Sequence, residues 1–179
     1  VGYEDDPSVN GMRLDQVAER WEMSEVETYM HMMVNGGSGV IGHTMSDGDV
    51  DRFMASEFVM TASDGGVGSA HPRGAGAFAR VLGHYVRERG VISLERAIQR
   101  GTSMPAARLG LDDRGVIEVG RRADLVAFEA ATIHARSTFR YSLRQAEGVH
   151  KTWVNGVVVW ADGETTDGSP GGALRRPSR

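Results

Sequence analysis

The chain has no cysteine, so no disulfide framework can brace it, which fits a reducing, cytoplasmic setting. Lysine is almost missing as well: Lys151 is the single lysine among 20 basic residues. Nothing in the fold accounts for that bias toward arginine. No apolar run approaches the roughly 20 residues that a membrane span needs, and no signal peptide is visible, so no membrane partner is expected. An excess of positive charge is also lacking. The net charge of −4 disfavours non-specific binding to nucleic acid. No internal repeat or long linker interrupts the chain. What is left, 40% hydrophobic and 25% charged residues, is the composition of an ordinary globular protein.

The most informative stretch is Thr61-Ala62-Ser63-Asp64-Gly65-Gly66, followed within a short loop by His71-Pro72-Arg73. The lead-in, Phe58 to Ala62, is a short apolar and β-branched run closed by two glycines, a pattern that predicts a buried strand. Asp64 then falls at the C-terminal edge of that strand, where α/β folds gather ligands and catalytic side chains. Gly65 and Gly66, without Cβ atoms, would let a ligand or a metal shell approach the backbone. Ser-Asp-Gly is also an ordinary turn sequence, so Asp64 alone proves little. After the loop, Phe78, Val81, Leu82, Tyr85 and Val86 recur at one-face spacing and predict a helix ending near Gly90.

Upstream, Leu14, Val17, Ala18 and Trp21 predict one helical face. Ser24 with Glu27 makes a capping box for a second helix presenting Val26, Tyr29, Met30 and Met33, stopped by Asn35-Gly36-Gly37. Met30, Met32 and Met33 read as core filler. Val40-Ile41-Gly42 predicts a strand ending at His43, read as a pocket-wall or satisfied loop residue and not as a ligand, and Ser46 to Asp49 would cap a further short helix. Downstream, Ser93 caps a helix through Ala97 and Ile98, and Pro105 suits the first turn of another ending near Gly110. Thr152-Trp153-Val154 and Val157-Val158-Val159-Trp160, joined by Asn155-Gly156, carry a strong hairpin signal. Residues 161–179 read as a mobile tail or an irregular wrap.

Several of these segments together resemble the amidohydrolase superfamily and, within it, the N-acyl-D-amino-acid deacylases. The resemblance rests on Ser63-Asp64-Gly65, His71-Pro72-Arg73, the Arg80 to Arg87 segment Arg-Val-Leu-Gly-His-Tyr-Val-Arg, and the Thr102 to Leu111 segment. It also rests on Gly120-Arg121-Arg122-Ala123-Asp124-Leu125-Val126 and on Val154-Asn155-Gly156. Gly-x-x-Ala-Asp-Leu-Val marks the superfamily broadly, whereas Asp-Gly followed by His-Pro-Arg is the narrower mark; the match runs roughly from residue 10 to 175.

The resemblance implies an α/β fold: the last two or three βα units of a TIM-like (β/α)8 barrel over residues 1–110, strands of a small β-sandwich domain over 111–160, and a tail over 161–179. It implies a zinc-dependent hydrolase that cleaves the linear amide of N-acyl-D-amino acids to a D-amino acid and a carboxylate. Asp64 would be general base and then proton donor, and a weak candidate metal ligand. Arg73 would clamp the substrate's α-carboxylate, a task suited to a planar fork of donors. Gly65 and Gly66 would line the substrate site, and His71 would either shape the loop or take part in the chemistry. Asp124 belongs, on the same resemblance, to structure.

The chain departs from the family pattern in its metal ligands. Superfamily members carry a His-x-His pair, a bridging Cys, Glu or carboxylated Lys, and two further single histidines. Here no two of His31, His43, His71, His84, His134 and His150 have His-x-His spacing, and Lys151 lies in the late β region. A closed zinc site wants three or four protein ligands, so this chain by itself is expected neither to hold zinc nor to be active. Its 179 residues are fewer than the roughly 250 of a TIM barrel, and the sequence opens on Val1 without Met. The expectation is a C-terminal piece, or one part of a split enzyme, whose partner is the N-terminal half of the barrel. Expressed alone, such a piece should aggregate or associate. Two other readings stand beside this one. A noncatalytic remnant would keep the carboxylate clamp and bind acyl-amino acids, and Gly74 to Ala79, which fits G-x-G-x-x-A through Gly74 and Gly76, would be a phosphate-binding turn for a nucleotide.

Overall fold

The computed structural model describes residues 2–66 and 71–174, and the chain divides into two compact units, Val1–Thr44 and Met45–Arg179. In the first, a 3-10 turn at Pro7–Val9 is capped by the Asp6 carboxylate, which accepts the Ser8 N–H at 3.0 Å. Two helices follow, α1 at Leu14–Trp21 and α2 at Glu25–Val34. The predicted capping box is formed: the Ser24 hydroxyl accepts the Glu27 N–H at 3.3 Å and the Glu27 carboxylate accepts the Ser24 N–H at 3.0 Å. Caps of this kind contribute about 1 kcal/mol. Tyr3, Val9 and Val17 form the core, with Met12, Trp21 and Met32 packed against it.

The buried face of α1 is the predicted one, through Val17 and Ala18. That of α2 is not. Thr28 is fully buried and Met32, one turn on, packs on the core, while Val26, Tyr29, Met30 and Met33 are exposed. The stripe that faces α1 is chosen by tertiary packing, which overrides local hydrophobicity. Of the three methionines, Met32 therefore fills the core. The glycines at 36 and 37 end the helix with φ of 98° and 75°. Val40-Ile41-Gly42 forms no strand. A strand exists through hydrogen bonds to a neighbour, and among the described residues none lies beside it.

The second unit opens with α3, Asp47–Ala55, whose cap is Ser46: its hydroxyl accepts the Asp49 N–H at 3.2 Å. The run Phe58 to Ala62 that follows is not a strand either, and Phe58 is 91% exposed. The backbone of this run is tied by the Thr61 N–H, which donates to the Arg100 carbonyl at 3.1 Å. The reason is the same one: among the described residues no parallel neighbour lies alongside. Asp64 accordingly ends an irregular segment instead of a strand.

Helix α4, Arg73–Arg80, passes directly into a π-helical stretch, Val81–Glu88, with Ala79, Val81 and Tyr85 buried. It stops at Gly90, as predicted. Helix α5, Leu94–Gly101, is capped by Ser93, and α6, Ser103–Leu109, contains Pro105 and closes on Gly110 at φ 72°. A four-stranded antiparallel sheet completes the unit: β1 Leu125–Phe128, β2 Val149–Val154, β3 Val157–Ala161 and β4 Glu164–Thr165, in that spatial order. In the β2–β3 hairpin Val154 faces Val157, and Asn155 and Gly156 both take positive φ, 49° and 79°, the conformation for which Asn-Gly is favoured. Strand β4 lies within the segment predicted as tail; Thr165 pairs with Trp160 and its chain is held on β3. The architecture is thus helices with a small antiparallel sheet, and the parallel strands predicted for a barrel are not formed among the described residues.

Candidate active site

Asp64 and Arg73 are brought together by backbone economy. A β-carbon on Gly65 would lie 2.5 Å from the Gly74 Cα, so the segment carrying Asp64 meets the start of α4 because residue 65 has no side chain. Gly65, expected to leave space for a ligand, has that side taken by Gly74. Around Gly66 no atom of the described residues comes within 4 Å of a β-carbon. Asp64 itself sits at φ 46°, a left-handed conformation that costs about 1–2 kcal/mol for an L-residue and that Asp tolerates better than most.

Across this contact, Arg73 Nη2 lies 2.9 Å from Asp64 Oδ2, and Arg73 Nε donates to the Asp64 carbonyl at 3.0 Å. The Asp64 side chain is 84% exposed and that of Arg73 45%, so the pair is open to a ligand. His71 orients the same corner: its Nδ1 accepts the Arg73 N–H at 3.1 Å, which requires that nitrogen to carry no proton. Burial pushes the His71 pKa below its ordinary 6.5, the Arg73 charge pushes the same way, and the Asp64 charge opposes them. Two residues without any local sequence signal also reach this corner. Ser137 donates its hydroxyl to the Pro72 carbonyl at 2.9 Å, and the Phe139 ring meets the His71 ring edge-on at 5.3 Å.

The Gly74 to Ala79 segment lies inside α4 and is not a phosphate-binding turn. The Gly74 N–H donates to the His71 carbonyl and that of Gly76 to the Pro72 carbonyl, so the donors a phosphate would need are already engaged. Asp124 is held in structure: its carboxylate takes Arg114 at 2.7 Å and the Asn155 N–H at 2.7 Å. Asp113 bridges Arg114 and Arg122, and hydrogen bonds from these two guanidiniums bring its carboxyl down to about 2. His43 lies in the other compact unit. Among the described residues no group of three or more His, Asp or Glu could hold a metal ion, and no helix is long and apolar enough to cross a membrane. Two clefts, of about 770 and 480 Å³, lie elsewhere and include neither Asp64 nor Arg73.

Residues 42–160 match the Amidohydrolase family, which places both the Asp64–Arg73 corner and the Asp124 network within the matched region. The chain belongs to the amidohydrolase family. Its relatives lie in the branch that the Asp-Gly and His-Pro-Arg motifs indicated. A D-aminoacylase of Alcaligenes xylosoxydans xylosoxydans is 37% identical over 95% of this chain, and an N-acyl-D-glutamate deacylase of the same organism is 36% identical over 95%. The chain spans about a third of either relative's length, 35% and 34%. Among solved structures, a D-aminoacylase studied for its binuclear metal centre superposes with a TM-score of 0.83 at 36% identity, over 92% of this chain and 35% of the other. The N-acyl-D-glutamate deacylase of Bordetella bronchiseptica, complexed with zinc and a phosphonate mimic of the tetrahedral intermediate, gives 0.79 at 33% identity, over 88% of this chain and 33% of the other.

Proposed function

We propose that this amidohydrolase chain supplies the closing part of a TIM-like barrel and strands of its small β domain to a hydrolase that cleaves N-acyl-D-amino acids. In this reading residues 1–110 belong to the barrel part, and the β domain runs from 111 through its fourth strand, Glu164–Thr165. The observation that carries it is the Asp64–Arg73 corner, a proton-accepting carboxylate and a carboxylate-binding guanidinium 2.9 Å apart in a chain whose relatives are D-amino-acid deacylases.

Asp64 takes a proton from the attacking water as its oxygen bonds to the acyl carbon. The same carboxyl then returns that proton to the amine nitrogen as the C–N bond breaks, releasing carboxylate and D-amino acid. Arg73 holds the α-carboxylate; two of its donors are engaged by Asp64, and the guanidinium fork offers five in all. His71 shapes this corner, Gly65 admits the close approach of Gly74, and Gly66 leaves room beside it. The described residues do not fit a zinc ion by themselves, since no group of three candidate ligands is present and a closed site needs about four. Zinc and its remaining ligands therefore belong, in this reading, to the complete enzyme, and the isolated chain is inactive.

The test is made in the complete protein. Asp64→Asn should leave metal content nearly intact and lower turnover by roughly 10²–10⁴-fold, the range for a lost acid–base group; unchanged turnover removes Asp64 from the mechanism. Arg73→Ala should raise KM for N-acyl-D-amino acids and leave an analogue without the carboxylate little affected. Equal losses on both would make Arg73 structural. Binding of N-acyl-D-amino acids with no hydrolysis and no dependence on zinc would favour a noncatalytic binding remnant.

A further inference from the structure

The corner that carries Arg73 is tied to a segment some 65 residues further along the chain. The ties form a continuous series. Arg87 Nη1, at the end of the π-helical stretch, donates to the Ile133 carbonyl at 2.6 Å and reaches the Ala130 carbonyl at 3.3 Å. One turn back, a β-carbon on Gly83 would lie 2.6 Å from the Ile133 carbonyl oxygen. Further toward the N-terminus of α4, a β-carbon on Gly76 would lie 2.2 Å from Ser137 Oγ and 3.2 Å from the Ala135 Cβ. Beyond the helix, Ser137 bonds the Pro72 carbonyl and Phe139 packs on His71.

Residues 133–139 thus run antiparallel along the whole helix. The dimensions agree: Gly83 to Gly76 is about 10 Å of helix at 1.5 Å per residue, and Ile133 to Ser137 is about 13 Å of extended chain. The segment is itself anchored beside the sheet, where His134 and Glu147 exchange backbone hydrogen bonds of 3.1 and 2.9 Å.

We infer that Ser137 and Phe139 are positioning residues for substrate binding, fixing the His71-Pro72-Arg73 corner so that the Arg73 guanidinium meets an anionic group on the substrate in one orientation. The inference rests on the reading of Arg73 as the carboxylate clamp. Neither residue touches the substrate. Ser137 fixes the Pro72 carbonyl, and thus the peptide leading into Arg73. Phe139 limits rotation of the His71 ring, whose Nδ1 holds the Arg73 N–H. Loosening either spreads the guanidinium over several orientations, and a bidentate grip on a carboxylate depends on the fork being held in plane.

The experiment uses the complete, metal-loaded protein with Ser137→Ala, Phe139→Leu and Phe139→Tyr. Kinetics are measured on an N-acyl-D-amino acid and on the N-acyl amine that lacks its carboxylate. Ser137→Ala and Phe139→Leu should raise KM for the acid by roughly five- to tenfold with kcat changed less than about twofold, a loss of uniform binding. The amine should be hydrolysed as by the wild type, and Phe139→Tyr, which keeps the ring, should restore KM. Unchanged KM, or equal losses on acid and amine, overturns the inference. Amide exchange at Arg73 and Gly74 gives a readout independent of substrate. It should quicken by roughly tenfold in Ser137→Ala and Phe139→Leu as the corner opens more often, and unchanged exchange overturns the brace. Should the wild type hydrolyse no N-acyl-D-amino acid, the functional reading and the kinetic half of this inference fall together, and amide exchange still decides whether the brace exists.

Discussion

Arg100 is 1% exposed, an unusual place for a guanidinium. Its Nη1 donates to the Met54 carbonyl, while Nε and Nη2 have no partner among the described residues. Burial, and then the charge of Arg96, push its pKa down from 12.5. The residue earns its place by linkage, since its side chain reaches Met54 and its own carbonyl receives the Thr61 N–H, fastening the segment that leads to Asp64 onto α5. A buried charge with one partner is a weak stabiliser, and an apolar side chain of similar volume often serves as well. Arg100→Met should therefore melt close to the wild type. Arg100→Ala, which empties the space, should lose about 2–4 kcal/mol. Thermal unfolding separates them: equal losses would show that the charge itself is required.

Among the elements, β1 and the β2–β3 hairpin are clasped by one polar network. Arg122 Nη1 donates to Asn155 Oδ1 at 2.9 Å, Arg122 Nε meets Asp113 at 2.6 Å, and Asp124 takes both Arg114 and the Asn155 N–H. The Gly-Arg-Arg-Ala-Asp-Leu-Val and Val-Asn-Gly motifs are thus two halves of one joint. With its pKa brought from 3.8 to about 2, Asp113 binds a proton more weakly folded than unfolded. Its contribution to stability is present above about pH 4 and is lost as pH falls through about 2. The melting temperature of Asp113→Asn should lie below that of the wild type at pH 5, and the gap should narrow between pH 4 and pH 2. A gap that stays constant over that window would mean that the carboxylate's charge does not hold the joint.

At the scale of the molecule, large apolar side chains stand in water. Phe58 and Ile117 are each 91% exposed, and Phe53 and Val119 are exposed as well. Such surface favours association, as do the unpaired backbone groups of a sheet edge. Prepared alone, the 19.4 kDa chain should scatter light as an oligomer whose mass grows with concentration. Phe58→Glu with Ile117→Lys should shift it toward monomer. A wild-type chain that stays monomeric at all concentrations would mean that these side chains are harmless where they stand.

The features legible in the sequence are those closed by neighbours along the chain. The Ser24 and Glu27 box, the Ser46 and Ser93 caps, Gly110 at the end of α6 and the Asn155-Gly156 turn each depend on hydrogen bonds or dihedral angles within a few residues. The family is legible for the same reason, because its motifs are short and ordered. The candidate site was half legible: Asp64, His71 and Arg73 stand within ten residues of one another. Ser137 and Phe139 carry no signal of their own, since their partners lie about 65 residues away. What needs a distant partner was decided in space. Phe58 to Ala62 and Val40 to Gly42 have strand composition, yet strand formation requires a second backbone to receive the hydrogen bonds. The buried stripe of α2 was set by α1, and Arg100 went inside because Met54 and Thr61 meet it there. Local hydrogen bonds are closed by the order of residues, and the rest by which segments the fold lays side by side.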